Sequence, residues 1–445
     1  MKITILGAGV TGLTLARLLL QDGHDVLVLE SSGEAGGLCR SSVVDGFTFD
    51  HAGGHILFSK DRATLDWMKE RAGSDSLVET ERRTRILWHD RYVPYPFENG
   101  IASLTPQAKF ECLKGYLEAV ERRKGGEPCP EDFHSWILWK MGKGFADHFM
   151  IPYNEKIWEC DLREMSSLWV AGRVPDAPVD DILKAVSGLE TRGYTHQARF
   201  FYPRRGGFQA LTDGIAEGLG DRLVTGHEVR NLRRRGGGWE VDGDPTDLVV
   251  NTIPLPVLAE VFEGLPEEIR LECAELRPIS LANVLIGCRS DRGLDPLSWI
   301  YLPFEDQGPA NRVTFFSNYS PENAPEGHVS FMAEVTYRGT LETGKEWLGD
   351  LCRALETCGL FRREDVVVLH PFHSRYAYID QNLAFPDRIA RLRAWFDRSG
   401  LLSIGRFGRY EYHNSDQCVQ RAFQARAHIA RLAETGDDLP LSLPA

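Results

Sequence analysis

The sequence predicts a mixed α/β fold, with one parallel-sheet domain interrupted by a helical insertion and by an antiparallel-sheet insertion. Three observations carry this expectation. The chain opens on a strand, glycine turn, helix and strand, "KITILGAGVTGLTLARLLLQDGHDVLVLE". Residues of about 95–195 carry apolar positions at helical spacing. Residues of about 273–384 alternate and are rich in β-branched and aromatic types, as in "SLANVLIGCR", "SWIYLP", "RVTFFSNYS" and "VSFMAEVTY". At 445 residues the chain is too long for one ordinary core. The expected division is 1–93, 200–272 and 385–445 for the parallel-sheet domain, 94–199 for the helical part and 273–384 for the antiparallel sheet.

The elements follow in order. The apolar run Ile3–Leu6 is a buried strand. Gly7, Gly9 and Gly12 then spell G-x-G-x-x-G. The first glycine permits the tight turn, the second lets backbone approach a pyrophosphate, and the third lets the helix pack close to the sheet. A helix is expected over Leu13–Leu20 and a second strand over Asp25–Leu29, ending on Glu30, an acceptor for ribose hydroxyls. A glycine motif between strand and helix, with an acid at the end of the next strand, predicts a Rossmann-like dinucleotide site. Residues 33–40, "GEAGGLCR", add a second Gly-Gly with Gly37, Leu38 and Arg40. This stretch resembles FAD-binding amine oxidases and their relatives, which makes the expected cofactor FAD and the domain FAD-binding. In that superfamily the backbone near Val229 meets the adenine. Around it, "VTGHEVRNLRRRGGGWEVDG" reads as strand, basic hairpin and strand, and "DLVVNTIP" as a further buried strand. The run Arg233–Arg235 reads as a solvated hairpin tip. Near the end, Gly405 to Gly408 lead into a helix starting at Asn414, Ser415 or Asp416, with Val419, Phe423, Ala427 and Ala430 expected on its buried face. In FAD enzymes of this type that helix start points at the flavin pyrimidine, where the helix dipole favours a reduced, anionic flavin.

In the helical part, Thr105 caps, Pro106 takes the first helical position, and Phe110, Leu113, Leu117 and Val120 recur at helical spacing. "EDFHSWILWKMG" and "GFADHFMIPYNEKIWE" continue in the same manner. Two insertions facing one flavin would form a cleft, a common ligand site. Bulk composition narrows the partners. Lys+Arg 51 against Asp+Glu 64 gives a net charge of −13, which argues against nonspecific nucleic-acid binding. An anionic substrate then needs a local cluster of arginines. The 9 cysteines form no C-x-x-C pair and fit neither a zinc site nor a disulfide framework, so reduced thiols and no metal are expected. "MKITILGAGVTGL" starts directly on a strand, and no run of about twenty apolar residues occurs, so the expectation is a cytoplasmic chain with no membrane partner.

An ordered set of stretches carries a more specific resemblance. It comprises "DHAGGHILFS" at 50–59, "YVPYPFEN" at 92–99, "FMIPYNEKIWE" at 149–159, "GRVP" at 172–175 and "YPRRGG" at 202–207. It continues with "SWIYLP" at 298–303, "RVTFFSNYSP" at 312–321, "SRYAYI" at 374–379 and "GRFGRYEY" at 405–412. Together these resemble the UDP-galactopyranose mutases, most closely the eukaryotic-type members. The resemblance implies an isomerase that interconverts the pyranose and furanose forms of a nucleotide-linked hexose, UDP-galactose by default. N5 of reduced FAD attacks the anomeric carbon and expels the nucleoside diphosphate, with no net redox change. NAD(P)H is a possible reductant.

The resemblance also implies residue roles. Arg312 and Arg173 match the family's diphosphate arginines, and Tyr319, Tyr376 and Tyr412 its phosphate-binding tyrosines. Arg406 would sit between flavin and sugar. The Gly54 carbonyl would accept from N5–H of reduced flavin, with His55 and Phe58 beside it. Tyr95 and Phe97 match the base-stacking wall; Phe149, Tyr153, Asn154 and Trp158 match base and ribose contacts. Trp299 and Tyr301 would wall the sugar side. Gln197 stands where eukaryotic-type members carry asparagine in a mobile loop, and Glu98 where they carry glutamine. A carboxylate only accepts. Uracil offers one N–H between two carbonyls, whereas guanine offers N1–H and N2–H together and cytosine an amino group. A GDP- or CDP-linked hexose is therefore an alternative substrate. An amine oxidase or desaturase is the alternative activity; it would share the FAD segments but not the arginines and tyrosines. The hexose, the pathway and the oligomeric state are not legible in the sequence.

Overall fold

Strand Lys2–Leu6 is buried from Ile3 onward, and helix Val10–Gln21 begins immediately after Gly9, earlier than the apolar run alone suggests. Close packing explains the early start: a Cβ at Gly12 would lie 2.1 Å from the Gly7 carbonyl oxygen, so the first helical turn rests on the glycine turn itself. The computed structural model describes residues 1–170, 174, 177–189, 198–290 and 293–435. Its parallel sheet has the order Leu402–Ser403, Leu248–Asn251, Lys2–Leu6, Asp25–Leu29, Leu223–Val224, drawn from the beginning, middle and end of the chain. These are the Rossmann-like domain and the mixed α/β class that the sequence predicts.

The last helix, Ser415–Thr435, packs against Val10–Gln21. Its buried side is Cys418, Val419, Ala422, Ala425 and Ile429; Phe423 is half-buried, and Ala427 and Ala430 are exposed. The expected face is thus rotated. Two helically spaced apolar stripes compete here, and the one with small residues lets the helices approach.

The second sheet has seven strands in the order Val366–Ile379, Pro278–Arg289, His328–Tyr337, Arg312–Phe315, Trp299–Tyr301, Thr84–Trp88, Arg91–Pro94. It is antiparallel except where Trp299–Tyr301 runs parallel to Thr84–Ile86. The hairpin of Thr84–Trp88 and Arg91–Pro94 therefore extends this sheet, although it falls in the stretch 1–93 assigned above to the FAD-binding domain. Its partners lie more than 200 residues away in the chain, so no local pattern reveals the pairing.

Helix Pro106–Lys124 starts as expected, with Thr105 Oγ1 accepting from the Ala108 N–H at 3.3 Å. It packs on Phe133–Phe145 through glycines: a Cβ at Gly144 would lie 2.3 Å from the Glu111 carbonyl oxygen, and Gly142 has φ +76°. Its buried side is Ala108, Cys112, Gly115, Tyr116 and Ala119, while Phe110 and Leu117 are exposed and Leu113 and Val120 half-buried. The large apolar stripe is thus not the packing face. A turn at Ala146–Met150 and helix Ile151–Trp158 complete this layer. Among the described residues, no helix is long and apolar enough to cross a membrane.

Candidate active site

All three parts of the chain line one cavity of about 1300 Å³. Pockets for a single small molecule run from roughly 300 to 1000 Å³, so this one has room for more than one ligand. At one end lies the glycine turn. Gly7 has φ +98°, and nothing stands within 4 Å of where a Gly9 Cβ would be, which leaves the backbone open to a ligand. Gly36 donates its N–H to the Ala8 carbonyl at 2.8 Å, bringing the "GEAGG" loop alongside. The Glu30 carboxylate accepts from the Ala8 and Ser32 N–H groups, both at 2.8 Å, and lines the cavity with Gly37, Leu38, Arg40 and Val229. Arg40 is steadied by its Nε donating to the Gly37 carbonyl at 3.2 Å. Asn414 and Ser415 line the same cavity at the start of the last helix. Gly405 and Gly12 lie behind the lining. At Gly405, φ is +87° and a Cβ would meet Thr11 Oγ1 at 2.9 Å.

In the middle of the cavity, the loop Gly53–His55 is packed from behind. A Cβ at Gly53 would lie 2.8 Å from the Glu334 carboxyl carbon, and one at Gly54 would lie 3.0 Å from Thr314 Cγ2. Buried Asp50 anchors the loop. Its Oδ1 accepts from Ser41 Oγ (2.7 Å), Tyr202 OH (2.8 Å) and the Phe208 N–H (3.0 Å), and its Oδ2 from the His55 N–H (3.4 Å). Burial pushes the Asp50 carboxyl up to about 6. Burial, with the charges of Arg312 and Arg406, pushes His55 down to about 4, so its ring is neutral at neutral pH.

Arg312 and Glu334 face each other across adjacent strands. Nε and Nη2 of the arginine bind the two carboxylate oxygens, both at 2.7 Å. Burial acts to lower the Arg312 pKa, but the Glu334 charge outweighs it and the guanidinium stays charged. Arg406 is held by carbonyls, not by a carboxylate: Nη1 donates to His413 O at 2.7 Å and Nη2 to Ala377 O at 2.9 Å. Its guanidinium lies 4.6 Å from the Tyr412 ring centroid. Burial raises the Tyr378 pKa, so this phenol remains a donor beside Arg312 and Arg406. Three cavity-lining side chains each keep a buried nitrogen without a partner: His55 Nδ1, Trp299 Nε1 and Arg406 Nε. Buried polar groups are normally satisfied, so these point to ligands. Another part of the cavity wall is aromatic. Phe97 stacks on Phe149 (5.0 Å), Phe149 on Tyr153 (5.3 Å), and Tyr301 contacts both Tyr153 (5.1 Å) and Tyr95 (5.3 Å).

Over residues 10–375 the chain matches the family of flavin containing amine oxidoreductases. The chain belongs to that family. Among solved structures, it is similar to a reduced UDP-galactopyranose mutase at TM-score 0.89 and 27% identity, covering 99% of this chain and 97% of that one. The resemblance seen in the sequence motifs thus holds for the structure. Putrescine oxidase bound to putrescine superposes with TM-score 0.66 at 16% identity over 97% of this chain and 99% of that one, which is a likeness of fold. The protein named flavin-containing monoamine oxidase AofH in Mycobacterium tuberculosis is 26% identical over 252 residues, 54% of this chain and 53% of its own length. The match therefore spans about half the length of that curated relative. The glycine turn, the acid at Glu30 and the unpartnered nitrogens fit the flavin of this family, FAD, with Gly7, Gly9, Glu30, Gly37, Arg40, Val229, Asn414 and Ser415 able to hold it.

Within this flavin-containing amine oxidoreductase, several motif assignments move. Tyr319 is fully buried against Phe200 (5.0 Å) and Tyr202 (5.4 Å) and does not line the cavity. Tyr376 lines it beside Phe407 (5.8 Å), and Tyr378 is the tyrosine whose charge environment is set by Glu334, Arg312, Tyr412 and Arg406. Residues i and i+2 of a strand share a face, so the sequence marks both tyrosines but cannot rank them. Tyr301, expected on the sugar side, also stands by Arg312. Tyr153, Asn154 and Trp158 lie behind the lining. Asn154 Nδ2 donates to Met150 O (2.7 Å), and its Oδ1 accepts from Trp158 Nε1 (3.1 Å). Trp158 then buttresses Tyr378 (5.9 Å) and Tyr412 (6.1 Å). Phe58, Tyr95, Phe97, Glu98, Phe149 and Trp299 all line the cavity. So does Arg82, which sequence reasoning missed; it lies over the rings of Trp299 (4.7 Å) and Tyr95 (5.1 Å). Arg173 and Gln197 lie outside the described residues, though Val174 lines the cavity. Among the described residues, no cluster of His, Cys, Asp or Glu could hold a metal ion.

Proposed function

We propose that the chain is a redox-neutral nucleotide-sugar mutase, interconverting pyranose and furanose forms of a nucleotide-linked hexose, with UDP-galactose as the reference substrate. One observation carries this reading. A pair of charged arginines, Arg312 and Arg406, ringed by Tyr301, Tyr378 and Tyr412, lies in the same cavity as the glycine turn and the aromatic wall. Such a site suits a diphosphate joining a sugar to a flat base, and it repels the cationic substrate of an amine oxidase.

Reduced FAD supplies the nucleophile when bound. The side chains do the rest. Arg312, pinned by Glu334, and Arg406, pinned by two carbonyls, are preorganised donors for the charge that develops as the diphosphate leaves. The phenols of Tyr378 and Tyr412 add hydroxyl donors to the same anion. Neutral His55 adds no charge to the cavity lining where the cofactor would bind. Gly53 and Gly54 let the loop lie against Glu334 and Thr314 with its backbone toward the cavity. The aromatic wall holds the nucleoside and so fixes the sugar in position. By the family resemblance Arg173 is a second diphosphate arginine and Gln197 a substrate residue, and NAD(P)H is the proposed reductant.

The test is a panel of UDP-, GDP-, CDP- and dTDP-hexoses incubated with oxidised or dithionite-reduced enzyme, followed by separation of pyranose and furanose forms. Conversion is expected only after reduction and without stoichiometric oxygen use. The likeness to a monoamine oxidase makes the opposite outcome concrete. Steady peroxide release from an amine, with no furanose formed, overturns the mutase reading.

A further inference from the structure

Buried Asp50 ends the hairpin of strands Ser41–Val44 and Phe47–Asp50, directly opposite Ser41. It does not line the cavity, yet the chain on both sides of this pair does: Gly36–Arg40 before Ser41, and Ala52, Gly54 and His55 after Asp50. One polar network joins the two segments. Ser41 Oγ donates to Asp50 Oδ1 at 2.7 Å and accepts from the Gln209 N–H at 3.0 Å. Gln209 Oε1 accepts from the Ser41 N–H at 3.2 Å, and its Nε2 donates to Ala35 O at 3.1 Å, next to Gly36. From the antiparallel sheet, Asn283 Nδ2 donates to the Asp50 backbone carbonyl at 2.7 Å. The two carboxylate oxygens serve different partners. Oδ1 takes Ser41 Oγ, Tyr202 OH and the Phe208 N–H, whereas Oδ2 faces the His55 N–H at 3.4 Å. Gly53 and Gly54 impose little conformation of their own, so the pose of this loop is set by such outside contacts.

Resting on the flavin of the family and not on the nucleotide-sugar reading, we infer that Asp50 is a positioning residue for the flavin. Through Oδ2 it sets the pose of the Gly53–His55 backbone that meets the cofactor, and through Oδ1 it ties that pose to the glycine loop at Gly36. A change of one atom separates these two roles. Asparagine has the same shape but one acceptor and one NH2 group. Turning its oxygen to the three donors keeps three bonds and sets the NH2 against the His55 N–H, donor against donor. The reverse orientation gives up three bonds to keep one. Asp50→Asn therefore releases the cavity-lining loop and leaves the network on Oδ1 in place. Tyr202→Phe does the opposite: it removes one Oδ1 donor and leaves the His55 bond.

The experiment measures the midpoint potential of the bound flavin and the melting temperature for the FAD-loaded wild type, Asp50→Asn and Tyr202→Phe. Asp50→Asn is expected to change the relative affinity for reduced and oxidised FAD by about tenfold or more, a shift of about 30 mV or more for a two-electron couple. Tyr202→Phe is expected to lower the melting temperature and leave the potential where it is. An unchanged potential in folded, FAD-loaded Asp50→Asn overturns the assignment. So does an equal shift in Tyr202→Phe, which would make Asp50 an anchor of the core and nothing more. Neither result bears on the nucleotide-sugar reading, which the hexose panel tests. Should Asp50→Asn not fold or not hold FAD, amide hydrogen exchange on the FAD-loaded wild type decides. The His55 amide is expected to be protected like the Phe208 amide on the same carboxylate, and exchange at the rate of an exposed loop overturns the assignment.

Discussion

His55 and Asp50 sit one hydrogen bond apart, and burial drives their pKa values past each other: the imidazole down to about 4, the carboxyl up to about 6. His51 next to them, within 2.6 Å of Ser42 Oγ, is also pushed down to about 4 by burial and by the charge of Arg40. The consequences for stability oppose one another. Between about pH 4 and 6.5 the unfolded chain binds a proton at each histidine that the folded chain refuses, so stability falls with falling pH. Over about pH 4–6 folded Asp50 keeps a proton that the unfolded chain has released, which works the other way. His55 and Asp50 nearly cancel, and His51 decides the sign, at a discount because water partly reaches it. Denaturant unfolding is therefore expected to give a stability about 1–2 kcal/mol lower at pH 5 than at pH 7 from this cluster, and His51→Asn is expected to flatten that slope. A stability that rises on acidification would contradict the neutral imidazoles. At this scale, the motifs singled out His55, Tyr301, Arg312, Arg406 and Tyr412, which line the cavity, but also Tyr319, which does not, and they passed over Tyr378, which does. A tyrosine's residue type does not show whether it faces a cavity or a core.

The helical layer shows how far a pattern carries and where it stops. Thr105, Pro106 and the apolar spacing were enough to read helix Pro106–Lys124 and its start. Its rotation was not legible, because large exposed residues such as Phe110 carry the stronger apolar signal. The packing face is set instead by what is missing, the side chains of Gly115, Gly142 and Gly144, where two backbones nearly touch. Gly144→Ala should therefore overpack the pair and cost about 1–3 kcal/mol. Phe110→Ser, on the exposed side, should change stability by no more than about 0.5 kcal/mol. Helix Phe133–Phe145 also carries Met141 and Phe145 of the cavity wall, so Gly144→Ala is expected to weaken nucleotide binding while FAD is retained. Thermal melts and parallel FAD and nucleotide titrations check this. Equal loss of both ligands would mean that the helical layer is not the nucleotide's own wall.

Across the whole molecule, the local signals were sufficient for the central strands of the parallel sheet, Lys2–Leu6, Asp25–Leu29 and Leu248–Asn251, because each reads in its own short window, whereas the two-residue edge strand Leu402–Ser403 did not read as a strand. The joining of Thr84–Pro94 to a sheet built mainly from residues 278–379 was invisible, since it depends on pairing across more than 200 residues. That joining matters for binding. It sets Tyr95 and Glu98 directly after an edge strand of the sheet that carries Arg312 and Tyr378. Arg406 ties the same sheet, through Ala377 O, to the segment before the last helix, through His413 O. Arg406 of the proposed anion site is thus held by a segment that lines the same cavity as the glycine turn. Two ligand sites sharing one loop should bind cooperatively. Stripping FAD is expected to lower the melting temperature, and restoring FAD to about one hundred times its dissociation constant should return about 2.7 kcal/mol. A nucleoside diphosphate should then add stability to the FAD-loaded protein and much less to the stripped one, because the segment whose His413 carbonyl holds Arg406 lines the cavity that FAD would fill. If the nucleotide stabilises both forms equally, the two sites are independent, and the coupling through Arg406 is wrong even if each ligand binds where proposed.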